Sequence, residues 1–138
     1  MPQALRFDLV PPTPAQFKRL YEATGWSAVT HDEAFFARAL TGCWFVASVH
    51  LDGQLVGMTR VISDGVMHAF ITEMIIEESH RGQSVGASLL SFVVDEIRAR
   101  GVDDIQLFAA AGRIPFYERN GFVRRPDDAP GMRWVGPA

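Results

Sequence analysis

The chain has 138 residues and a mass of 15.3 kDa, the size of one domain with one core, so a single domain over residues 1–138 is expected and a two-domain architecture is excluded. With 48% hydrophobic and 21% charged residues, 12 glycines and 8 prolines, the composition excludes disordered, collagen-like and membrane-spanning classes. A formal net charge of -3 argues against a general affinity for nucleic acid phosphates, and no nucleic-acid partner is expected.

The longest apolar runs, such as Leu89-Leu90-Ser91-Phe92-Val93-Val94, fall far short of the roughly 20 residues needed to cross a bilayer, so no membrane partner is expected either. Met1-Pro2-Gln3-Ala4-Leu5-Arg6 has neither a basic start followed by an apolar core nor an Arg/Ser-rich amphipathic pattern, which makes the cytoplasm the expected location. Lys18 is the only lysine, so nearly all positive charge has the bidentate geometry of arginine. The lone Cys43 has no internal disulfide partner and, within Cys43-Trp44-Phe45-Val46, is expected as a small buried core residue.

In chain order, Leu5 to Val10 reads as a strand ended by Pro11-Pro12-Thr13-Pro14. Thr13 is an N-cap with Pro14 at the first helical position, and Phe17, Leu20 and Tyr21 give that helix one apolar face up to Gly25. Asp32 caps a second helix carrying Phe35, Phe36, Ala39 and Leu40 and stopping at Gly42. Trp44 to Leu51 and Leu55 to Ile62 are strands joined by a hairpin signal at Asp52-Gly53-Gln54. After the turn Ser63-Asp64-Gly65, Met67 to Ile76 supplies a third strand of an antiparallel meander. Val85, Leu89, Val93 and Ile97 then mark the longest helix, ending at Gly101. Ile105 to Ala109 reads as a buried strand and Pro115 to Arg119 as a short helix, with Phe122-Val123 and Met132-Arg133-Trp134-Val135 as two final strands. The order β-αα-βββ-α-β-α-ββ predicts an α+β fold.

Between Glu73 and Ala87 a strand passes through a polar turn directly into the long helix. The first N–H groups of a helix lack internal partners and carry the positive end of the macrodipole, so such a junction binds anions where small residues permit close approach. Gly82, Ser84, Gly86 and Ala87 are small, and Arg81 adds a permanent cation, although an ordinary helix start with a solvated Arg has the same pattern. The Lys-Ser/Thr pair of a Walker loop and the glycine spacing of a dinucleotide fingerprint are both missing. No His/Cys/carboxylate spacing suggests a metal site.

Arg81-Gly82-Gln83-Ser84-Val85-Gly86 resembles the acetyl-CoA loop of the GCN5-related N-acetyltransferase (GNAT) superfamily, Arg/Gln-x-x-Gly-x-Gly/Ala, with Ser84 where the family usually has a glycine. Phe116-Tyr117-Glu118-Arg119-Asn120-Gly121-Phe122 resembles the family's Phe/Leu-Tyr-Glu-x-x-Gly-Phe segment, and the likeness runs roughly from Val46 to Trp134. Its edges are similar to small bacterial members and to the serotonin N-acetyltransferase-like branch of plants and cyanobacteria. The resemblance implies the GNAT fold, a mixed, mostly antiparallel twisted sheet of six to seven strands flanked by about four helices. It also implies acetyl-CoA as cosubstrate, held by Met74, Ile75, Ile76, Arg81, Gly82, Gln83, Ser84, Val85, Gly86, Ala87, Arg113 and Phe116. Ser84 is expected to weaken or alter that binding, and Ala110 departs from the Asn of many relatives.

The implied reaction is transfer of an acetyl group to a primary amine by direct attack in a ternary complex. Tyr117 is the implied acid for the leaving thiolate, and Glu73 the candidate base for the protonated amine, against a surface-carboxylate role. Backbone N–H groups of Met74 to Ile76 are candidates for binding the pantetheine arm as an added strand. Trp26, Phe35, Phe36, His68, Phe70 and Trp134 are candidates for an aromatic acceptor pocket, with core packing the competing role for at least half of them. The acceptor reads as a small-molecule amine of arylalkylamine type. A protein lysine, or a non-catalytic CoA-binding sensor or interaction module, is the alternative. The resemblance allows a homodimer through the C-terminal strands.

Overall fold

The computed structural model describes residues 4–82 and 84–137. It divides into two compact units, Met1–Leu107 and Phe108–Ala138. The first holds β1 (Leu5–Asp8), α1 (Pro14–Ala23), α2 (Glu33–Thr41), β2 (Phe45–Leu51), β3 (Gln54–Ser63), β4 (Ala69–Ile76), a 3-10 turn at Glu78–His80, α3 (Val85–Ala99) and β5 (Ile105–Leu107). The second holds α4 (Ile114–Arg119). No helix among the described residues is long and apolar enough to cross a membrane.

Local signals set the helix starts. Thr13 Oγ1 accepts from Gln16 N at 3.1 Å while Gln16 Oε1 accepts from Thr13 N at 2.8 Å, a reciprocal capping box followed by Pro14. Asp32 Oδ1 accepts from Phe35 N at 3.0 Å at the start of α2. The two helices bury Phe17, Leu20 and Phe36 against Val46, Leu55, Met58 and Ile75 of the sheet. Helix α3 buries the stripe Val85, Leu89, Leu90, Val93 and Ile97, and its Phe92 stacks on Phe7 of β1.

The sheet order is β1-β2-β3-β4-β5, antiparallel throughout except for the parallel β4–β5 pair. Asp52 and Gly53 both have positive φ (51° and 83°), as a two-residue hairpin with the right twist requires, and Leu51 pairs with Gln54 across it. Among the described residues there are thus five strands rather than six to seven. Phe122-Val123 and Met132–Val135 join no ladder: Pro126 and Pro130 interrupt the stretch and Ala129 N bonds back to Pro126 O in a turn. Val123, Met132, Trp134 and Val135 are all exposed, so their strand propensity, which is largely packing on a half-buried surface, has no surface to act on. Strand β4 starts at Ala69 rather than Met67, because Asp64 Oδ1 holds the N–H groups of Val66 and Met67 at 2.9 and 2.8 Å in the preceding turn. These backbone bonds hold the Asp64 carboxyl below the usual carboxylate range.

Candidate active site

The β4–α3 junction has the local geometry of an anion site. Gly82 and Ser84 both take left-handed φ, 77° and 64°, and Gln83 lies outside the described residues. Ser84 is the N-cap of α3, yet its side chain makes no capping bond. The first rung is Ser88 N to Ser84 O at 3.0 Å, so the N–H groups of Val85, Gly86 and Ala87 precede the helical ladder. Buried Val85 and Leu89 fix the helix start against the core. Arg81 Nε donates to Ile76 O at 3.2 Å, which ties the cation to the strand end. A built Cβ at Gly82 meets nothing within 4 Å, so the cradle is open. N–H groups with no partner among the described residues, left-handed turns and an anchored guanidinium fit a diphosphate. Beside it, a groove of about 100 Å³ is lined by Arg19 and Ala23 of α1 and by Thr24 at its C-cap, together with Ile76, Glu77 and Arg81.

Strands β4 and β5 pair only over Ala69–Ile71 and Ile105–Leu107, so the second half of β4 runs on past the end of β5. Glu77 N donates back to Val56 O at 2.8 Å, hence the N–H and C=O of Ile76 face away from β3. Between the pairs Met58–Ile75 and Arg60–Thr72, Glu73 and Met74 oppose Thr59 alone, which is a bulge. Glu73 there has φ 45°, and buried Thr59 fastens the irregularity by donating from Oγ1 to Thr72 O at 3.0 Å.

The bulge turns Glu73 onto Arg60. Its Oε2 accepts from Nε and lies beside Nη2, each at 2.8 Å, with the side chains 21% and 14% exposed. Arg60 Nη1 also donates to Ala39 O at 3.0 Å and to Cys43 Sγ at 3.4 Å. Burial opposes the Arg60 charge, but the Glu73 carboxylate and Cys43 outweigh it and raise the guanidinium pKa. Cys43, expected to be buried, is half-buried and its Sγ donates to Ala39 O at 3.0 Å. Arg60 escaped the sequence reading although a signal exists: it interrupts the apolar run Leu55–Val61, and a charge in a buried strand needs a partner.

The aromatic candidates separate. Phe36 is 2% exposed and sits in the core, edge-on to Phe17, while Phe35 stacks on His31 at 3.7 Å nearer the surface. Trp26 is exposed and edge-on to Tyr21. Phe70 lies in β4, paired with Ile62 and Gln106. His68 precedes β4, at the opposite end of that strand from the α3 junction, with Nδ1 2.7 Å from Asp104 Oδ2.

In the second unit, Arg113 is the N-cap of α4 and Pro115 occupies its first turn. The Tyr117 ring stands edge-on to Phe116 at 5.1 Å and to Phe122 at 6.0 Å. Burial pushes the Tyr117 phenol up, with Arg113 pulling the other way, so the hydroxyl keeps its proton at neutral pH. Trp134 is 85% exposed.

The histone acetyltransferase TAP1 of Glycine max is 29% identical over 109 residues, covering 71% of this chain and 47% of that protein. The chloroplastic serotonin N-acetyltransferase 2 of Oryza sativa subsp. japonica is 32% identical over 80 residues, 58% of this chain and 40% of that protein. The chain thus spans less than half the length of these relatives. The GNAT family acetyltransferase SP0256 of Streptococcus pneumoniae has the same fold, with a TM-score of 0.80 over 99% of both chains at 22% identity. The acetyltransferase (GNAT) family pattern matches residues 5–122, from β1 past the Tyr117 segment, and the chain belongs to that family.

Proposed function

We propose that the protein binds acetyl-CoA at the β4–α3 junction and transfers the acetyl group to a primary amine by direct attack in a ternary complex. The observation that carries this reading is the left-handed φ of Gly82 and Ser84 ahead of α3, whose first N–H groups, those of Val85, Gly86 and Ala87, precede the helical ladder, with Arg81 bonded to the end of β4. These groups hold the diphosphate, and the edge of β4 at Ile76 receives the pantetheine arm. Acetyl-CoA, when bound, supplies the activated acetyl group.

An alkylamine with a pKa near about 10.4 is mostly protonated at neutral pH, and Glu73 takes that proton to free the lone pair. By the family resemblance Tyr117 protonates the departing thiolate, and its raised pKa keeps the needed proton in place. For the acceptor, exposed Trp26 and the Phe35 ring favour an arylalkylamine, and serotonin, in the name of the rice relative, is such an amine.

One observation favours a non-catalytic acetyl-CoA-binding module instead: Glu73 already has a partner in Arg60. Calorimetric titration with acetyl-CoA, followed by release of CoA thiol with tryptamine, spermidine and a lysine-containing peptide, tests both readings. Saturable binding with amine-dependent release supports transfer; binding without release supports the module, and no binding overturns both.

A further inference from the structure

We infer that Arg60 is the positioning residue for Glu73, holding one carboxylate oxygen so that the other is aimed as proton acceptor; this rests on the proposed role of Glu73 as base. The contact is a side-on fork onto a single atom: Arg60 Nε donates to Glu73 Oε2 at 2.8 Å and Nη2 lies 2.8 Å from the same oxygen. Oε1 accepts no hydrogen bond from the described residues. The guanidinium cannot swing away with its partner, because Nη1 is bonded to Ala39 O near the end of α2 and to Cys43 Sγ, and its face lies 5.8 Å from the Phe17 ring.

Exposed ion pairs between long side chains are mobile and screened. This one is mostly buried, and β3, α2, the segment after α2 and the bulge all take part. Glu73 is also fixed from its backbone side, since its left-handed φ of 45° is costly for a residue with a Cβ and is kept by the bulge. Two independent constraints therefore converge on one carboxylate, and the contact with Arg60 leaves Oε1 as the atom able to act. When an ammonium N–H breaks there, the proton forms an O–H bond at Oε1, the nitrogen keeps the electron pair, and Oε2 still accepts from Arg60. A base acts only within hydrogen-bond reach of its proton, and the clamp provides that constancy.

The test is a double-mutant cycle over Arg60→Met and Glu73→Gln, read as kcat and KM with whichever of tryptamine, spermidine and a lysine-containing peptide the wild type turns over fastest. Acetyl-CoA affinity and thermal melting are measured on each variant. Arg60→Met is expected to lower kcat by about 10- to 100-fold in the wild-type background and by less than about 2-fold in Glu73→Gln, with acetyl-CoA affinity unchanged. Arg60→Lys, which keeps charge without the fork, recovers part of the loss. Equal losses in both backgrounds overturn the inference, as does a loss confined to melting temperature.

If Glu73→Gln itself turns over like wild type, the base assignment fails whatever Arg60 does. If Arg60→Met does not fold, or none of the amines is turned over, the NMR signal of Arg60 Nε–H decides. Slow solvent exchange in the wild type that becomes fast in Glu73→Gln supports the clamp, and fast exchange in the wild type overturns it.

Discussion

Replacing Ser84 by glycine changes one atom group at the centre of the proposed diphosphate site, and the structure fixes what it should do. Ser84 has φ 64° and ψ 8°, left-handed geometry that costs a residue with a Cβ about 1–2 kcal/mol. Glycine removes that cost but loses more chain entropy on folding, about 0.5–1 kcal/mol. Because the Ser84 hydroxyl makes no capping bond, no hydrogen bond is lost to offset the gain. The expected outcome is a net stabilisation of roughly 0.5 kcal/mol, bounded by about 1.5, seen as a melting temperature about 1–6 °C higher. Ser84→Ala keeps the backbone cost and loses no cap, so it should stay within about 0.5 kcal/mol of wild type. Urea unfolding measures the stabilities, and calorimetry should show acetyl-CoA bound as tightly to Ser84→Gly as to wild type, or more tightly. Destabilisation of Ser84→Gly by more than about 1 kcal/mol would refute the backbone reasoning, and an affinity loss of about tenfold would make the hydroxyl a ligand.

Arg81→Ala should weaken acetyl-CoA binding by about 1.5–3 kcal/mol, as expected of a charged hydrogen bond; unchanged affinity would remove Arg81 from the site. Gly57→Ala places a Cβ 2.6 Å from Ile76 Cδ1 and 2.8 Å from Ile75 O, and should cost about 1–3 kcal/mol in urea unfolding. Wild-type stability there would contradict the close approach of β3 to β4. Tyr117 has its pKa raised by burial, so the unfolded chain loses that proton first, from about pH 10 upward. Its contribution to stability is full below that pH and is lost as pH rises through the folded value, so the drop in melting temperature from about pH 8 to about pH 11 should be smaller in Tyr117→Phe. Glu73→Gln should lower turnover by about 10²–10⁴ with acetyl-CoA affinity retained, and raising the pH should restore part of it.

Much of the first unit was legible because its signals are local. Thr13-Pro14, Asp32 and Asp52-Gly53 specify caps and a hairpin within a few residues, and the α3 stripe from Val85 to Ile97 is a long periodic run. The turn between β4 and α3 was legible for the same reason, because Gly82 and Ser84 directly precede the periodic run of α3. What escaped depends on register. The bulge that turns Glu73 onto Arg60 exists only when β3 and β4 pair, and no spacing along either strand announces it. The inward choice of Phe36 over Phe35 is set by the rotation of α2 on the sheet, while both satisfy helical spacing. Phe122-Val123 and Met132–Val135 have strand-like composition, but without a ladder or a buried face composition does not make a strand.

The most direct test of acetyl transfer is to mix the protein with acetyl-CoA and each of tryptamine, spermidine and a lysine-containing peptide, and to quantify free CoA thiol and acetylated amine in the same sample. Transfer at this site predicts equal amounts of the two products, formed only when both substrates are present and reduced about 10²–10⁴-fold in Glu73→Gln. CoA release that is independent of amine, or equal product formation by wild type and Glu73→Gln, would contradict it.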